Sequence, residues 1–148
     1  MRNRRGFFSE HFLRIFLDTN VLVSGLMGRG LCKDLLNRVV IEHSVVLGAP
    51  VRNELRRVLL TKFRIPEVLW REMDGRLAEF EQAAASVITP AVAISDASDI
   101  PIVACAIAAR VDVFVTGDQV LLDIGNAGSM PIKSPRALWL MLGEKKDG

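Results

Sequence analysis

With 148 residues, half of them apolar and 24% charged, the chain is long enough for one domain with a sizeable core and too short for two. That balance excludes wholesale disorder, and no apolar stretch approaches the roughly 18 residues a membrane span requires, so no membrane partner is expected. A net charge of +2 demands no nucleic-acid partner; the basic clusters Arg2, Arg4, Arg5, Arg14 and Arg52, Arg56, Arg57, Lys62, Arg64 read first as solvated surface. Cys32 and Cys105 stand far apart without CxxC or Cys/His spacing, which argues against a disulfide scaffold or a zinc site and fits a reducing cytoplasm.

Residues 1–13 read as a flexible N-terminal extension, 14–143 as the domain and 144–148 as a C-terminal tail. Arg14-Ile15-Phe16-Leu17 has the apolar run of a buried strand, stopped by Asp18-Thr19-Asn20. A helix is expected from about Leu31 to Ile41, then a strand at Ser44-Val45-Val46-Leu47 closed by Gly48. Pro50 opens a helix whose apolar positions Val51, Leu55, Val58 and Leu59 keep helical spacing. A longer helix is expected from about Pro66 to Ala85, with a third strand at Ser86-Val87-Ile88. Asp99 or Ser98 caps a helix through Arg110, with Pro101 in its first turn. Val113-Phe114-Val115 forms a fourth strand, Val120 to Ile124 a short helix, and Pro131-Ile132 an edge strand. Ser134 and Pro135 start a last helix ending near Gly143. Strands alternating with helices predict a three-layer α/β/α sandwich around a parallel sheet of four to five strands.

Four acids stand just beyond predicted strands or at the start of the following helix: Asp18, Glu54, Asp99 and Asp118. In parallel sheets, ligand sites lie outside the carboxyl ends of the strands. Each acid alone has an ordinary reading, as a cap, a turn residue or a salt-bridge partner. Together they would share one end of the sheet, where each pair about 5 Å apart repels by roughly 3 kcal/mol at an effective dielectric near 20. Either their pKa values rise or a hard cation, Mg²⁺ or Mn²⁺, sits among them. Such an ion activates water and steadies a phosphodiester under attack, the chemistry of a nuclease. Asn20, Thr116 and Asp96 are candidate supporting residues, while Asp112, Asp34, Glu42, Asp74, Glu79 and Glu81 read as strand-start or solvated helix charges. His43 reads as a residue favouring a helix C-terminus, and Trp70 and Trp139 as packing anchors.

Ile15 to Ser24, reading IFLDTNVLVS, resembles the opening motif of PIN-domain proteins. Arg52 to Leu59 is similar to their glutamate motif, Asp99 to Ala106 to their third-aspartate helix, and Val115-Thr116-Gly117-Asp118 to their fourth motif. The resemblance runs from about Arg14 to Leu142 and lies nearest the VapC-like toxin components of toxin–antitoxin systems. It implies an endoribonuclease dependent on Mg²⁺ or Mn²⁺, with catalytic Asp18, Glu54, Asp99 and Asp118, of which Asp18, Asp99 and Asp118 hold the metal. An RNA substrate, a small antitoxin and a homodimer follow as expected partners, with Arg52, Arg56 and Arg57 as candidate RNA contacts. One departure is Val120, where such relatives tend to carry an acid two places after the fourth aspartate.

Two other enzyme classes fit poorly. A haloacid-dehalogenase-like phosphatase needs a second aspartate where this chain has Asn20, and Gly25, Gly28 and Gly30 do not form GxGxxG. The alternative that remains is a PIN fold serving as an RNA-binding or protein-interaction module with weak or no cleavage.

Overall fold

The computed structural model describes residues 12–87, 90 and 92–143. The sheet is built on β1 (Arg14–Leu17), flanked by β2 (Ser44–Gly48) and β4 (Val113–Val115), with β3 (Glu81–Ala83) beyond β2. On the other side β6 (Met130–Lys133) pairs with β4, and the two-residue β5 (Asn126–Ala127) closes the order β3-β2-β1-β4-β6-β5. All neighbours are parallel except the β5–β6 hairpin. The α/β/α layering is as expected; β5 brings the strand number to six among the described residues, and it sets β6 one place in from the edge.

The central strands are short apolar runs because helices cover both faces of the sheet. The helices are α1 (Thr19–Met27), α2 (Leu31–Glu42), α3 (Ala49–Thr61), α4 (Glu67–Leu77), α5 (Ile100–Ala109), α6 (Gln119–Ile124) and α7 (Pro135–Leu142). None among the described residues is long and apolar enough to cross a membrane. Val51, Leu55 and Leu59 bury one stripe of α3, and Ser134 caps α7 by accepting from the Ala137 amide at 3.0 Å. Phe16 and Phe114 face each other in register on β1 and β4, fully buried, their rings stacked with centroids 5.3 Å apart. Trp70 is buried in the core, and Trp139 packs beside it with the Arg38 guanidinium 5.0 Å from its ring centroid.

Three segments depart from the sequence expectation. Asp18-Thr19-Asn20 does not merely stop β1; it starts α1, which buries Val21, Leu22 and Gly25. The β-branched and glycine-containing TNVLVSGLM has weak helical propensity, but close packing on α2 selects the helix. A Cβ on Gly25 would lie 3.0 Å from the Leu36 side chain.

The third strand is at Glu81–Ala83 rather than Ser86-Val87-Ile88, and the helix expected to reach Ala85 ends at Leu77. Val87 is fully exposed, and Ile88 lies outside the described residues. Polar contacts place this strand: Arg14 ion-pairs with Glu81, and Gln82 Nε2 donates to the carbonyls of Leu77 and Phe80 at 3.0 and 2.9 Å. Glu81, Glu42 and Asp74 are thus not simply solvated, since Glu42 pairs with Arg38 and Asp74 with Arg52.

Of the expected N-terminal extension, residues 1–11 lie outside the described part, as do 144–148 of the tail. Leu13 belongs to the core: it is buried, and its amide donates to His43 Nδ1 at 3.1 Å. Burial holds the His43 imidazole below its ordinary pKa, so it serves as a neutral acceptor rather than a cation at the end of α2.

Gly48 at the end of β2 lets the backbone approach the stacked rings. A Cβ there would lie 2.7 Å from Phe16 Cζ and 3.0 Å from Cys105 Sγ. Because Phe16 is enclosed, Gly48→Ala should destabilise the domain by about 1–3 kcal/mol. A urea midpoint equal to that of the wild type would show that the ring yields freely.

Candidate acidic site

Asp18 leaves the end of β1 and is the N-cap of α1. Its Oδ1 accepts the Thr19 amide at 2.8 Å and its Oδ2 the Thr116 hydroxyl at 2.7 Å, with Asn20 Nδ2 at 3.4 Å. The residue is 4% exposed. Thr116, fully buried just after β4, also accepts the Asp118 amide through Oγ1 at 3.0 Å. Asn20 Oδ1 takes the Gly117 amide at 2.9 Å. One threonine and one asparagine therefore fix the two strand ends carrying Asp18 and Asp118 relative to each other. Asp118 in turn caps α6, its Oδ1 accepting from the Val120 amide at 2.9 Å.

Glu54, half-buried in α3, accepts the Thr19 hydroxyl on Oε1 at 2.5 Å and lies 3.6 Å through Oε2 from Arg57. Thr19 was no part of the sequence constellation. Its only signal is its place between Asp18 and Asn20, where Asp18 as the cap of a helix is one ordinary reading of that aspartate.

Asp99 precedes α5 at the end of a 3-10 turn (Ala97–Asp99), and its side chain makes no capping bond. Its Oδ2 is buried without a hydrogen-bond partner. Asp96 is spent locally, its Oδ1 accepting both the amide and the hydroxyl of Ser98 at 2.9 and 2.8 Å. Those bonds hold its carboxyl below the ordinary range.

The electrostatics tie these groups together. Burial raises the Asp18 pKa, opposed by the donors Thr116 and Thr19 and reinforced by the charges of Glu54 and Asp118. Asp99 is pushed up to about 6, first by burial and then by the charges of Asp18, Asp96, Asp118 and Glu54. The four sequence candidates thus act on one another at one end of the sheet. Among the described residues, no three acidic, histidine or cysteine side chains stand close enough to hold an ion as they are placed.

The three candidate RNA-binding arginines separate. Arg52 is bound to Asp74 at 2.6 Å and Arg56 to Glu67 at 3.0 Å, both tying α3 to α4. Arg57 alone of the three pairs with an acid of the site. Val120, the departure from the expected motif, is half-exposed on α6.

The parallel sheet with acids beyond its strand ends defines a class of acidic-site α/β domains. The sequence profile of the PIN domain family matches residues 14–120, and the chain belongs to that family. No curated protein matches it. Among solved structures it is similar to a chain in the crystal structure of VapBC2 from Rickettsia felis bound to a DNA fragment from their promoter. That likeness has a TM-score of 0.61 at 15% identity, covering 82% of this chain and 98% of that one, and it is a likeness of fold.

The raised Asp99 carboxyl sets a pH dependence. Its native pKa of about 6 exceeds the ordinary 3.8, so the folded state binds this proton more tightly than the unfolded chain. The resulting stability is fully present below 3.8 and is lost as pH rises through about 6. Metal-free Asp99→Asn should therefore gain stability over wild type as pH rises, reaching about 1 kcal/mol near pH 7 once solvent screening is allowed for. Thermal melts in EDTA across that range test this; a constant difference between the two proteins would refute it.

Proposed function

We propose that the chain is a Mg²⁺- or Mn²⁺-dependent endoribonuclease acting as the toxin of a toxin–antitoxin pair, cytoplasmic and homodimeric. The observation that carries this is the buried, unpartnered Oδ2 of Asp99, on a carboxyl whose pKa is pushed up first by burial and then by the charges of four neighbouring acids. A buried acceptor without a donor costs about 1–3 kcal/mol, more when charged, and hard divalent cations are what an all-oxygen acidic set suits. Asp18, Asp99 and Asp118 would hold the ion, which supplies activated water and charge neutralisation at the scissile phosphate.

The chain's own groups do the positioning. Thr116 and the Thr19 amide keep the Asp18 oxygens in place, the Asn20 side chain fixes Gly117 ahead of Asp118, and the Thr19 hydroxyl steadies Glu54. Glu54 stands at the catalytic edge, able to orient water against a phosphodiester. Asp96 acts through Asp99, as a nearby negative charge. The antitoxin part of the reading is supported by family resemblance and by a fold neighbour that is part of a VapBC2 complex.

One observation favours the alternative, a PIN fold that binds RNA or protein with little or no cleavage: no ready-made three-ligand cluster is present among the described residues. Metal titration separates the two. For the nuclease, Mn²⁺ should raise the melting temperature in a saturable way, because it binds only the folded acidic centre. Asp18→Asn and Asp99→Asn should each cut RNA cleavage about a hundredfold or more. Undiminished cleavage in both variants would remove the site, and the absence of any Mn²⁺ shift or cleavage in the wild type would favour the binding module.

A further inference from the structure

We propose that Arg57 is the residue that receives the substrate's phosphodiester backbone at the rim of the acidic centre, an inference that rests on the nuclease reading. A polyanion approaching this site meets carboxylates: the charges acting on Asp99 are those of Asp18, Asp96, Asp118 and Glu54, all negative. A cation on the chain itself is needed near that edge to hold the phosphate without blocking the acids.

Helix α3 supplies one. Glu54 and Arg57 are three residues apart, hence neighbours on one helix surface. Glu54 turns into the site, bound to Thr19 at the start of α1, while Arg57 is 60% exposed at its margin. The 3.6 Å contact to Glu54 Oε2 meets the distance of an ion pair, not that of a hydrogen bond. Exposed pairs of this kind are weakly held and exchange readily for a better partner. Phosphate is that partner, since a guanidinium fork can engage two of its oxygens at once.

The neighbouring arginines are differently engaged. Arg52 is hydrogen-bonded to Asp74 at 2.6 Å and Arg56 to Glu67 at 3.0 Å, so both guanidinium groups are turned to carboxylates of α4 rather than to the acidic site. The sequence cluster of three thus resolves into two cations turned to α4 and one at the site. In the free protein Arg57 offsets part of the charge on Glu54; with substrate present it exchanges the carboxylate for a phosphate, leaving Glu54 to the reaction.

The test uses the full chain carrying Asp99→Asn, so that a fluorescent single-stranded oligoribonucleotide stays intact, with Mn²⁺ and a series of salt concentrations. Adding Arg57→Gln should weaken binding about fivefold to tenfold and lower the salt slope by about one. Arg56→Gln should change binding less than about twofold, and Arg57→Lys should keep the salt slope while losing part of the affinity. Binding by the Arg57→Gln protein equal to that of its parent, or an equal loss in Arg56→Gln, would overturn the assignment of Arg57 alone. A parent protein that binds no RNA, together with a wild type that cleaves none, would overturn the nuclease reading and this inference with it.

Discussion

Carboxylates brought to one end of a sheet repel, and their positions survive only because neighbouring donors fix them. Asp18 has both oxygens engaged, by the Thr19 amide and the Thr116 hydroxyl. Glu54 is held by a hydroxyl on one oxygen and faces a guanidinium on the other. Asp118 accepts an amide on Oδ1, whereas Asp99 leaves a buried oxygen with nothing to bind. Burial and then the neighbouring charges raise the Asp99 pKa, with no donor on Oδ2 to oppose them as Thr116 and Thr19 oppose them at Asp18. The frustration is concentrated at one atom rather than spread over the group, as expected where local stability is given up for function.

The rest of the fold serves that arrangement. The stacked Phe16 and Phe114 lock β1 to β4, so the two strand ends carrying Asp18 and Asp118 stay a strand spacing apart. The half-buried Arg52–Asp74 pair ties α3 to α4, and Glu54 reaches Thr19 from the same helix. Near the opposite end of β1, the neutral His43 imidazole takes the Leu13 amide and joins the start of the strand to the end of α2. Polar contacts thus orient what the apolar core holds together.

Much of this was legible in the residues, and the exceptions have physical causes. β1, β2 and β4 are unbroken apolar runs, which only burial on both faces explains. Asp18, Glu54 and Asp118 stand out by their places after those strands, and Asp99 by its place opening the helix after an expected strand, Ser86-Val87-Ile88, that is instead at Glu81–Ala83. β3 escaped because an edge strand need not be apolar, and Glu81-Gln82-Ala83 reads as helix until Arg14 and the Leu77 carbonyl at the end of α4 are seen beside it. A helix capped by Asp18 is only one reading of the sequence because the α1 residues prefer strands locally, while the Asp18 cap and the close packing of Gly25 on Leu36 decide for the helix. Without that helix fixed, Thr19 has no visible role. Arg52, Arg56 and Arg57 look equivalent in sequence, and only their partners on α4 and at Glu54 tell them apart.

The strand order has a temporal meaning as well. β1, one of the two central strands, comes first among the described strands, and the Thr116–Asp18 hydrogen bond closes a sequence separation of 98 residues. Loop closure over that span is slow relative to local helix formation. During synthesis from the N-terminus, β1 must wait for β4 to emerge before its second neighbour arrives, and Asp118 emerges later still. A ribosome that has not yet released β4 and Asp118 therefore displays no assembled acidic pocket, and whatever that pocket does is withheld until both have emerged.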